Sequence, residues 1–366
     1  MIVIRSYKLK LKPNKEQLQK LNNYFYEAKC LYNYVLSTED VFKFDTKTKY
    51  ITKFDKDKNI IEVVLNNLPA KLRQHVVYRL QDNIKNLSKS KKKGNKVGRL
   101  RFKSEINCID LDNQCFKIVN NKLQLSGMSK SKIKLRGIKQ LQSILKTRNA
   151  WLIKENNCFY ISICCNKIKE EHINTNKQIG IDMGIKDNIV LSNGEKLNCS
   201  IGESERTKKL QKKIFKSKKG SNNRKKLCFK LRKANTKTTN KKKEFVNQLI
   251  HKLDEDYDLI VWQDELISKW KSSKMKGFGR KIQHSCLGLL KNKLEQQLKD
   301  EPNRYIELDS KYPTTQLCPR CGQLNKHSLE KRIYKCSCGY EEDRDIHSAK
   351  NMLVFANKIF EVKKIG

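Results

Sequence analysis

Four cysteines near the C-terminal end constrain the fold of this 366-residue chain more than any other feature. They form two pairs, Cys318 with Cys321 and Cys336 with Cys338, and 14 residues separate the pairs. Thiolates at this spacing close a tetrahedral Zn²⁺ site, whose binding energy folds a segment too small to fold alone. The spacing therefore predicts a zinc ribbon over residues 311–340 with these four ligands.

Such a ribbon is predicted to be structural, because four cysteine ligands leave no open position for water. The second pair is one residue shorter than the usual knuckle, so His327 remains a possible substitute ligand, and a redox pair or chance clustering are the alternatives. Most of the other cysteines sit singly in apolar stretches. They are predicted to be buried thiols of a reducing compartment.

The charge of the chain predicts a polyanionic partner. Lysine and arginine number 80 against 38 aspartates and glutamates, which gives a formal net charge of +42. Such an excess disfavours a compact chain unless an anion neutralises it. No run of about 18 apolar residues and no leader segment is recognisable, so we expect a soluble, cytoplasmic protein without a membrane partner.

The positive charge is most concentrated between Lys208 and Lys243, where 17 lysines or arginines occur without an acidic residue. An ordinary solvated helix mixes both signs, so this segment is predicted to bind nucleic acid, with a basic disordered loop as the alternative. The predicted contact residues are Lys208, Lys209, Lys212, Lys213, Lys216, Arg224, Lys225, Lys226, Lys230 and Arg232. Residues 89–103, with eight lysines or arginines, are a second candidate.

The hydrophobic pattern predicts that the chain has two structurally different parts. Residues 1–170 begin with a strand and a helix that Asn14 caps, continue with a helix over 60–90, and then contain short β-like runs, the last over 151–165. This pattern indicates a β-rich domain with a helical insertion at about 14–90. From residue 177 strands alternate with helices, among them a long helical stretch over 203–253 and a helix over 279–298, which favours an α/β sheet.

Three acidic residues occupy unusual places in that second part. Asp182 lies within an apolar strand flanked by glycines, Glu265 follows the strand ending at Trp262, and Asp345 begins the last helix. Two-metal phosphodiester hydrolysis needs oxygen ligands that converge from separate elements. Each acid taken singly has an ordinary interpretation as a turn, solvated or helix-capping residue, but their joint pattern predicts a Mg²⁺ (or Mn²⁺) site.

The segments around these acids, 180–184, 261–265 and 343–351, resemble the three RuvC motifs of the TnpB family. These are transposon-encoded, RNA-guided DNA endonucleases similar to the compact type V CRISPR effectors. The resemblance implies a ribonuclease H-like (RuvC) α/β domain over residues 177–310 and 340–366, interrupted by the zinc ribbon and preceded by a β-barrel wedge domain with a helical recognition insertion.

The same resemblance implies that Asp182, Glu265 and Asp345 are the catalytic, magnesium-binding acids, and that guide RNA and target DNA are the partners. Asp343 is the neighbouring acid of the third motif and ranks below Asp345. Two departures matter: the second-motif acid could align with Gln263 instead of Glu265, and His347 stands where asparagine is usual. A catalytically silent RNA-guided DNA-binding regulator and a transposase proper therefore remain alternatives.

Overall fold

The computed structural model describes residues 2–55, 57–128, 131–141, 143–169, 172–271, 277–328 and 331–365. The chain divides into two compact units, Met1–Glu170 and Glu171–Gly366, called here the first and the second unit. Among the helices of the described ranges, none combines the length and apolar character needed to cross a bilayer.

The first unit contains nine strands and two long helices in its described residues, together with a short 3₁₀ turn at Ile138–Leu141. In chain order they are β1 (Ile2–Lys12), α1 (Lys15–Ser37), β2 (Tyr50–Phe54), β3 (Ile60–Val64), α2 (Ala70–Lys92), β4 (Cys108–Leu111), β5 (Phe116–Val119), β6 (Lys122–Leu125), β7 (Ile133–Arg136), β8 (Ile144–Glu155) and β9 (Cys158–Ile168).

Seven of these strands form one antiparallel sheet in the order β4-β8-β9-β1-β7-β6-β5. Its two edge strands, β4 and β5, are joined by only four residues, so the sheet must curve until its edges approach each other. Helices α1 and α2 pack their apolar faces into the same core. Asn14 caps α1 as predicted, since its side chain accepts a hydrogen bond from the backbone of Gln17 at 2.8 Å.

Two predicted elements of this unit were wrong. The helix predicted over 60–90 is a strand, β3, followed by α2, because the β-branched run Ile60–Val64 pairs with β2 to form a hairpin. The single run predicted over 151–165 is two long strands, β8 and β9, joined at Asn156 and Asn157. Both asparagines have positive φ (50° and 60°), which two-residue hairpin turns require.

In its described residues, the second unit contains seven strands and six helices. They are β10 (Gln178–Met183), β11 (Ile189–Leu191), β12 (Lys196–Leu197), α3 (Glu205–Lys216), α4 (Asn222–Asp256), β13 (Leu259–Gln263), α5 (Ile267–Lys271), α6 (Phe278–His284), α7 (Leu287–Asp300), β14 (Tyr305–Leu308), β15 (Ile333–Lys335), β16 (Glu341–Asp343) and α8 (Arg344–Ile365).

The predicted α/β sheet of this unit is a five-stranded mixed sheet in the order β12-β11-β10-β13-β14. The strands β10, β13 and β14 are parallel, whereas β11 and β12 are antiparallel to their neighbours. Side chains alternate between its two faces: Ile260 and Trp262 of β13 pack towards α4 and α7, while Leu259 and Val261 pack towards α8. The helix α8 thus covers the face towards which Asp182 of β10 points.

Two features of this unit were not predicted from the sequence: a break in a helix and a disulfide. The helix predicted over 279–298 is divided into α6 and α7 at Ser285 and Cys286. Cys286 forms a disulfide with Cys199, and Ser285 forms a backbone bridge with Ser200. The sequence analysis did not predict this pairing, because residues 87 positions apart give no local signal of it.

Gly180 allows α8 to approach β10. A Cβ atom at this position would lie 1.9 Å from the backbone oxygen of Ala349, a separation that no side chain can adopt without moving the helix. We expect Gly180→Ala to lower the free energy of unfolding of the second unit by about 3 kcal/mol, at the upper end for overpacking. Denaturant titration of the purified protein measures this loss.

The matched control is Gly288→Ala in α7, where an added Cβ meets no atom within 4 Å. Since alanine is the better helix former, this variant should be unchanged or more stable by up to about 1 kcal/mol. Equal stability of the Gly180→Ala variant and the wild type would show that α8 does not need this close approach.

Candidate active site and metal centre

The three predicted acids line one cavity of about 780 Å³ in the second unit. Asp182 comes from β10, Glu265 from the segment that follows β13, and Asp345 from the first turn of α8. Because β10 and β13 are adjacent and parallel, their carboxyl ends place the first two acids at the same edge of the sheet. The fold thus brings together residues that lie 83 and 80 positions apart in the sequence.

Asp182 has a strongly perturbed pKa. Burial raises the pKa of its carboxyl group to about 7, and the negative charges of Asp345 and Glu265 add to the rise. Ser348 opposes it by donating a hydrogen bond from Oγ to Oδ1 of Asp182 at 3.0 Å. Ser348 was not predicted as a site residue, although it lies one helical turn after Asp345 and so on the same face of α8.

This raised pKa gives a stability that depends on pH. A carboxyl group whose folded-state pKa lies above its ordinary value of 3.8 favours the folded state when protonated. The contribution of Asp182 to the free energy of unfolding should therefore fall as the pH rises from about 4 to about 7, without added divalent ions. Burial lowers the pKa of His347 to about 4, so the contribution of His347 rises with pH over part of the same range. Urea titrations of the wild type and of Asp182→Asn separate the two contributions, because the variant should gain stability relative to the wild type as the pH rises.

Asp343 and Asp345 have different structural roles. Asp343 caps α8, since its Oδ1 accepts hydrogen bonds from the backbone of Asp345 at 3.0 Å and of Ile346 at 3.3 Å, and Lys196 pairs with its other oxygen at 2.6 Å. Although burial alone would raise the pKa of Asp343, these contacts hold it below the usual range. Asp345 is therefore free of the capping role and faces the cavity beside Arg344, at 3.2 Å.

Gln263 and Glu265 also have different structural roles. The amide of Gln263 is buried and donates to the backbone oxygens of Asp309, at 3.0 Å, and Tyr312, at 2.9 Å. Its oxygen accepts from Thr314 at 2.8 Å. Glu265, in contrast, lines the cavity, where burial raises its pKa. The geometry therefore favours Glu265 over Gln263 as the acid of the second motif.

A cluster of buried polar groups lies between Gln263 and the first acid. Thr314 donates its hydroxyl proton to Gln263, and the hydroxyl of Ser348 lies 3.3 Å from that of Thr314 and 3.0 Å from Oδ1 of Asp182. Ser348 has one hydroxyl proton, which it donates to Asp182 when that carboxylate is ionised and can only accept. Gln263, Thr314 and Ser348 are all buried. The cluster thus packs β13 and the segment after β14 against α8, and Ser348 is its member that contacts Asp182.

Basic side chains form much of the remaining wall of the cavity. Arg332 lies 3.5 Å from Asp345. The basic residues that line the cavity are Lys186, Lys281, Lys326, Arg332 and Arg344. Phosphate oxygens would find charge-assisted partners here. Sequence reasoning did not identify these residues, because they come from four different segments without a shared motif.

The four predicted zinc ligands converge. The sulfur atoms of Cys318 and Cys338 are 3.6 Å apart, those of Cys321 and Cys336 are 3.5 Å apart, and all four lie within 4.8 Å of one another. Tetrahedral ligands with metal–sulfur bonds of about 2.3 Å would be about 3.8 Å apart. The short second pair is thus compatible with a four-sulfur site.

The predicted substitute ligand His327 lies elsewhere. Its ring packs edge-on against Tyr334, with the ring centroids 4.9 Å apart, and it lines the acidic cavity. Tyr334 also stacks on His347 of α8 at 3.8 Å. On the same helix, Asn351 donates to the backbone oxygen of Leu317 at 2.7 Å, just before the first cysteine. The cysteine-bearing segment is thereby fixed against the helix that contains Asp345.

The predicted nucleic-acid-binding residues lie on α3 and α4. On α3, the apolar residues Leu210 and Ile214 are buried and half-buried, respectively. On α4, Val246 is the first buried side chain. Nine of the ten predicted residues are exposed, whereas Arg224 is half-buried and donates to the backbone oxygens of Ile214 and Ser217. Arg224 therefore caps α3, while the other nine are exposed, among them Lys208, which pairs with Glu205 at 2.8 Å.

Three family models match separate segments of the chain. The model described as "Probable transposase", of the OrfB type, matches residues 162–274, and the model described as "Cas12f1-like, TNB domain" matches residues 288–352. An OrfB-type "Helix-turn-helix domain" model matches residues 1–40, which here form one strand and one helix.

Two individual proteins are similar to this chain. A curated protein of Streptomyces pristinaespiralis, named "Putative RNA-guided DNA endonuclease", is 28% identical over 200 residues. That match covers 53% of this chain and 49% of the relative, so the chain matches about half of the relative's length. A cryo-EM structure of a Cas12f1–sgRNA–target DNA complex overlaps 77% of this chain and 71% of its own, with 14% identity and a TM-score of 0.42.

Proposed function

We infer from this chain's membership of the TnpB family that it is a transposon-associated, RNA-guided DNA endonuclease. The observation on which the proposal rests is the convergence of Asp182, Glu265 and Asp345, from three separate elements, in one cavity with basic walls. Guide RNA and target DNA are the proposed partners, in keeping with the name of the curated relative.

The site residues fit divalent metal ions. Three carboxylates converge there, and the raised pKa of Asp182 reflects burial and repulsion that a cation would relieve. We assign Asp182, Glu265 and Asp345 as ligands of Mg²⁺, or of Mn²⁺, which prefer oxygen donors. When bound, such ions supply water activation and neutralise charge on the leaving oxygen.

The chain's own residues supply orientation and charge. Ser348 holds the Asp182 carboxylate, and Lys291 donates to the backbone oxygen of Glu265 at 3.0 Å, which fixes the segment that carries this acid. Arg332 and Arg344 would bind the non-bridging oxygens of the phosphodiester. Since positioned ligands and cations need no reorganisation during the reaction, this arrangement suits hydrolysis of a bound strand.

We assign the second unit to the ribonuclease H-like (RuvC) class, over residues 177–310 and 340–366. The strand order β12-β11-β10-β13-β14, with an acid near the carboxyl end of its central strand β10, supports this assignment. Residues 311–340 would be a zinc ribbon inserted between β14 and α8, and the sulfur separations support Zn²⁺ as its ion. Residues 1–170 would be the wedge domain, with its helical insertion at about 14–90.

The helices α3 and α4 are the proposed backbone-binding surface. Exposed lysines on two packed helices would neutralise phosphates and release counterions, so affinity should fall steeply with salt concentration. Such contacts carry no sequence information. Sequence specificity would come from base pairing with the guide, as in RNA-guided effectors generally.

Two other functions use the same fold. A silent RNA-guided DNA-binding regulator would need a defective site, but the buried hydrogen bonds of Gln263 leave Glu265 as the second acid, which argues against it. A transposase proper would join DNA ends with the same metal chemistry. Strand-transfer products in vitro would be needed to support that function.

The test is to purify the protein with its co-expressed flanking transcript and to sequence the bound RNA. The complex is then incubated in Mg²⁺ with a plasmid library whose target-flanking bases are randomised. Guide-dependent cutting beside a defined short motif supports the endonuclease. Bound RNA with tight target binding but no cutting supports the silent regulator, and absence of bound RNA would contradict both.

A further inference from the structure

A second group of side chains that could bind a metal ion lies in the first unit. His75 is on α2, and Asp112 and Cys115 lie in the tight connection between β4 and β5. Their donor atoms, one nitrogen, one oxygen and one sulfur, all lie within 4.8 Å of one another. The packing of α2 against β4 brings these residues together across a separation of 37 positions or more.

The turn itself orients the carboxylate. Oδ1 of Asp112 accepts hydrogen bonds from the backbone of Gln114 and of Cys115, both at 3.0 Å. This leaves Oδ2 to face the helix, where it lies 3.3 Å from Nε2 of His75. Oδ1 of Asp112 is therefore held by the backbone of the turn, whereas Oδ2 is directed at His75.

The histidine nitrogen has only a poorly aligned contact. Nε2 of His75 is buried and lies 3.3 Å from Oδ2 of Asp112, but this contact lacks the alignment of a well-formed hydrogen bond. Cys115 is a free thiol with only 1% of its surface exposed. Buried nitrogen atoms normally have well-formed hydrogen bonds, so a loosely paired Nε2 beside an oriented carboxylate and a buried thiol points to a ligand that the three groups share.

The separations suit a divalent cation. Ligands of tetrahedral Zn²⁺, at bond lengths of about 2.0 to 2.3 Å, lie roughly 3.3 to 3.8 Å apart, and the nitrogen–oxygen distance here falls at the lower limit. A thiolate, a carboxylate and a neutral imidazole would also balance the +2 charge. The cation nearest to the site, Lys71, lies 3.6 Å from Oδ2 of Asp112, and its half-exposed side chain can turn into solvent.

We propose that His75, Asp112 and Cys115 bind a divalent transition-metal ion of the Zn²⁺ class. The three side chains occupy three coordination positions, and water fills the fourth. Binding displaces the thiol proton of Cys115, which passes to solvent. The ion joins α2 to the β4–β5 connection and so stabilises the first unit, independently of the cysteine cluster and of the acidic cavity in the second unit.

Counting bound zinc in the full-length protein tests the proposal. The protein is loaded with Zn²⁺, freed of excess ion by gel filtration, unfolded, and titrated with a chromogenic chelator. We expect His75→Gln and Cys115→Ser each to hold one equivalent of zinc less than the wild type. Cys165→Ser, which alters another buried free thiol of the same sheet, is the matched control and should leave the count unchanged.

Circular dichroism of each variant checks that it is folded. His75 lies on the helix surface with 20% of its side chain exposed, so His75→Gln remains informative even if Cys115→Ser fails to fold. Unchanged zinc content in a folded His75→Gln variant would overturn the proposal. Zinc content does not depend on DNA cleavage, so failure of the endonuclease proposal would leave this result unaffected.

Discussion

Asp182→Asn is expected to abolish cleavage of target DNA while leaving target binding almost unchanged. Asparagine has nearly the same shape and can still accept the hydrogen bond from Ser348, but it removes the negative charge at the centre of the proposed metal site. Loss of several kcal/mol of transition-state stabilisation corresponds to a fall in cleavage rate on the order of 10³-fold or more. Single-turnover cleavage in Mg²⁺ and gel-shift binding without Mg²⁺ measure the two effects separately.

Asp343→Asn is the matched control, since it changes an acid of the same motif that caps α8 and pairs with Lys196. Asparagine is also a good helix cap, so this variant should keep most of the cleavage activity. The assignment of the acids would be wrong if Asp343→Asn were as inactive as Asp182→Asn, or if a folded Asp182→Asn variant no longer bound its target.

Local patterns in the sequence were sufficient for the elements that contain the candidate site. The apolar runs of β10 and β13 and the acids at their ends predicted the elements that contain Asp182 and Glu265, and the resemblance to the RuvC motifs grouped these acids with Asp345. The parallel pairing of β10 with β13, which places both acids at one edge of the sheet, is known only from the structure. The spacing of the four cysteines predicted their convergence.

Features that depend on contacts between distant segments could not be predicted. The strand β3 was predicted as the beginning of a helix, because its pairing partner β2 lies outside the residues 60–90 to which that prediction applied. The disulfide of Cys199 and Cys286, the basic residues from four segments that line the cavity, and the approach of His75 to Asp112 all arise from packing. The distances between such residues are set by tertiary packing, and no periodic pattern in the sequence encodes them.

The role of Gln263 shows how the structure changes the interpretation of a motif. In sequence it competes with Glu265 for the place of the second acid. In the structure its amide completes a buried set of hydrogen bonds that an ionised carboxylate could not make, since two of its three partners are backbone oxygens. A glutamate at this position would bury a charge opposite two acceptors, so we interpret Gln263 as a positioning residue for Thr314 and for the segment after β14.

Cys321→Ser is expected to remove one equivalent of zinc and to disable cleavage. Structural zinc contributes roughly 10 to 16 kcal/mol to the folding of small modules, so the cysteine-bearing segment should not fold without it. That segment supplies Lys326, His327 and Arg332 to the wall of the acidic cavity, and its Tyr334 stacks on the helix of Asp345. Misplacement of such groups by about 1 Å can cost on the order of 10²-fold in rate.

Zinc content, far-ultraviolet circular dichroism and guide-dependent cleavage of the same preparation test this expectation. Cys228→Ser is the matched control, because Cys228 is a half-buried free cysteine on α4 of the same unit. It should retain both zinc and cleavage. A Cys321→Ser variant that loses its zinc but cleaves at the wild-type rate would contradict this expectation. Such a result would show that the cysteine-bearing segment can dissociate from α8 without displacing the three acids, and that its basic residues do not bind the phosphodiester.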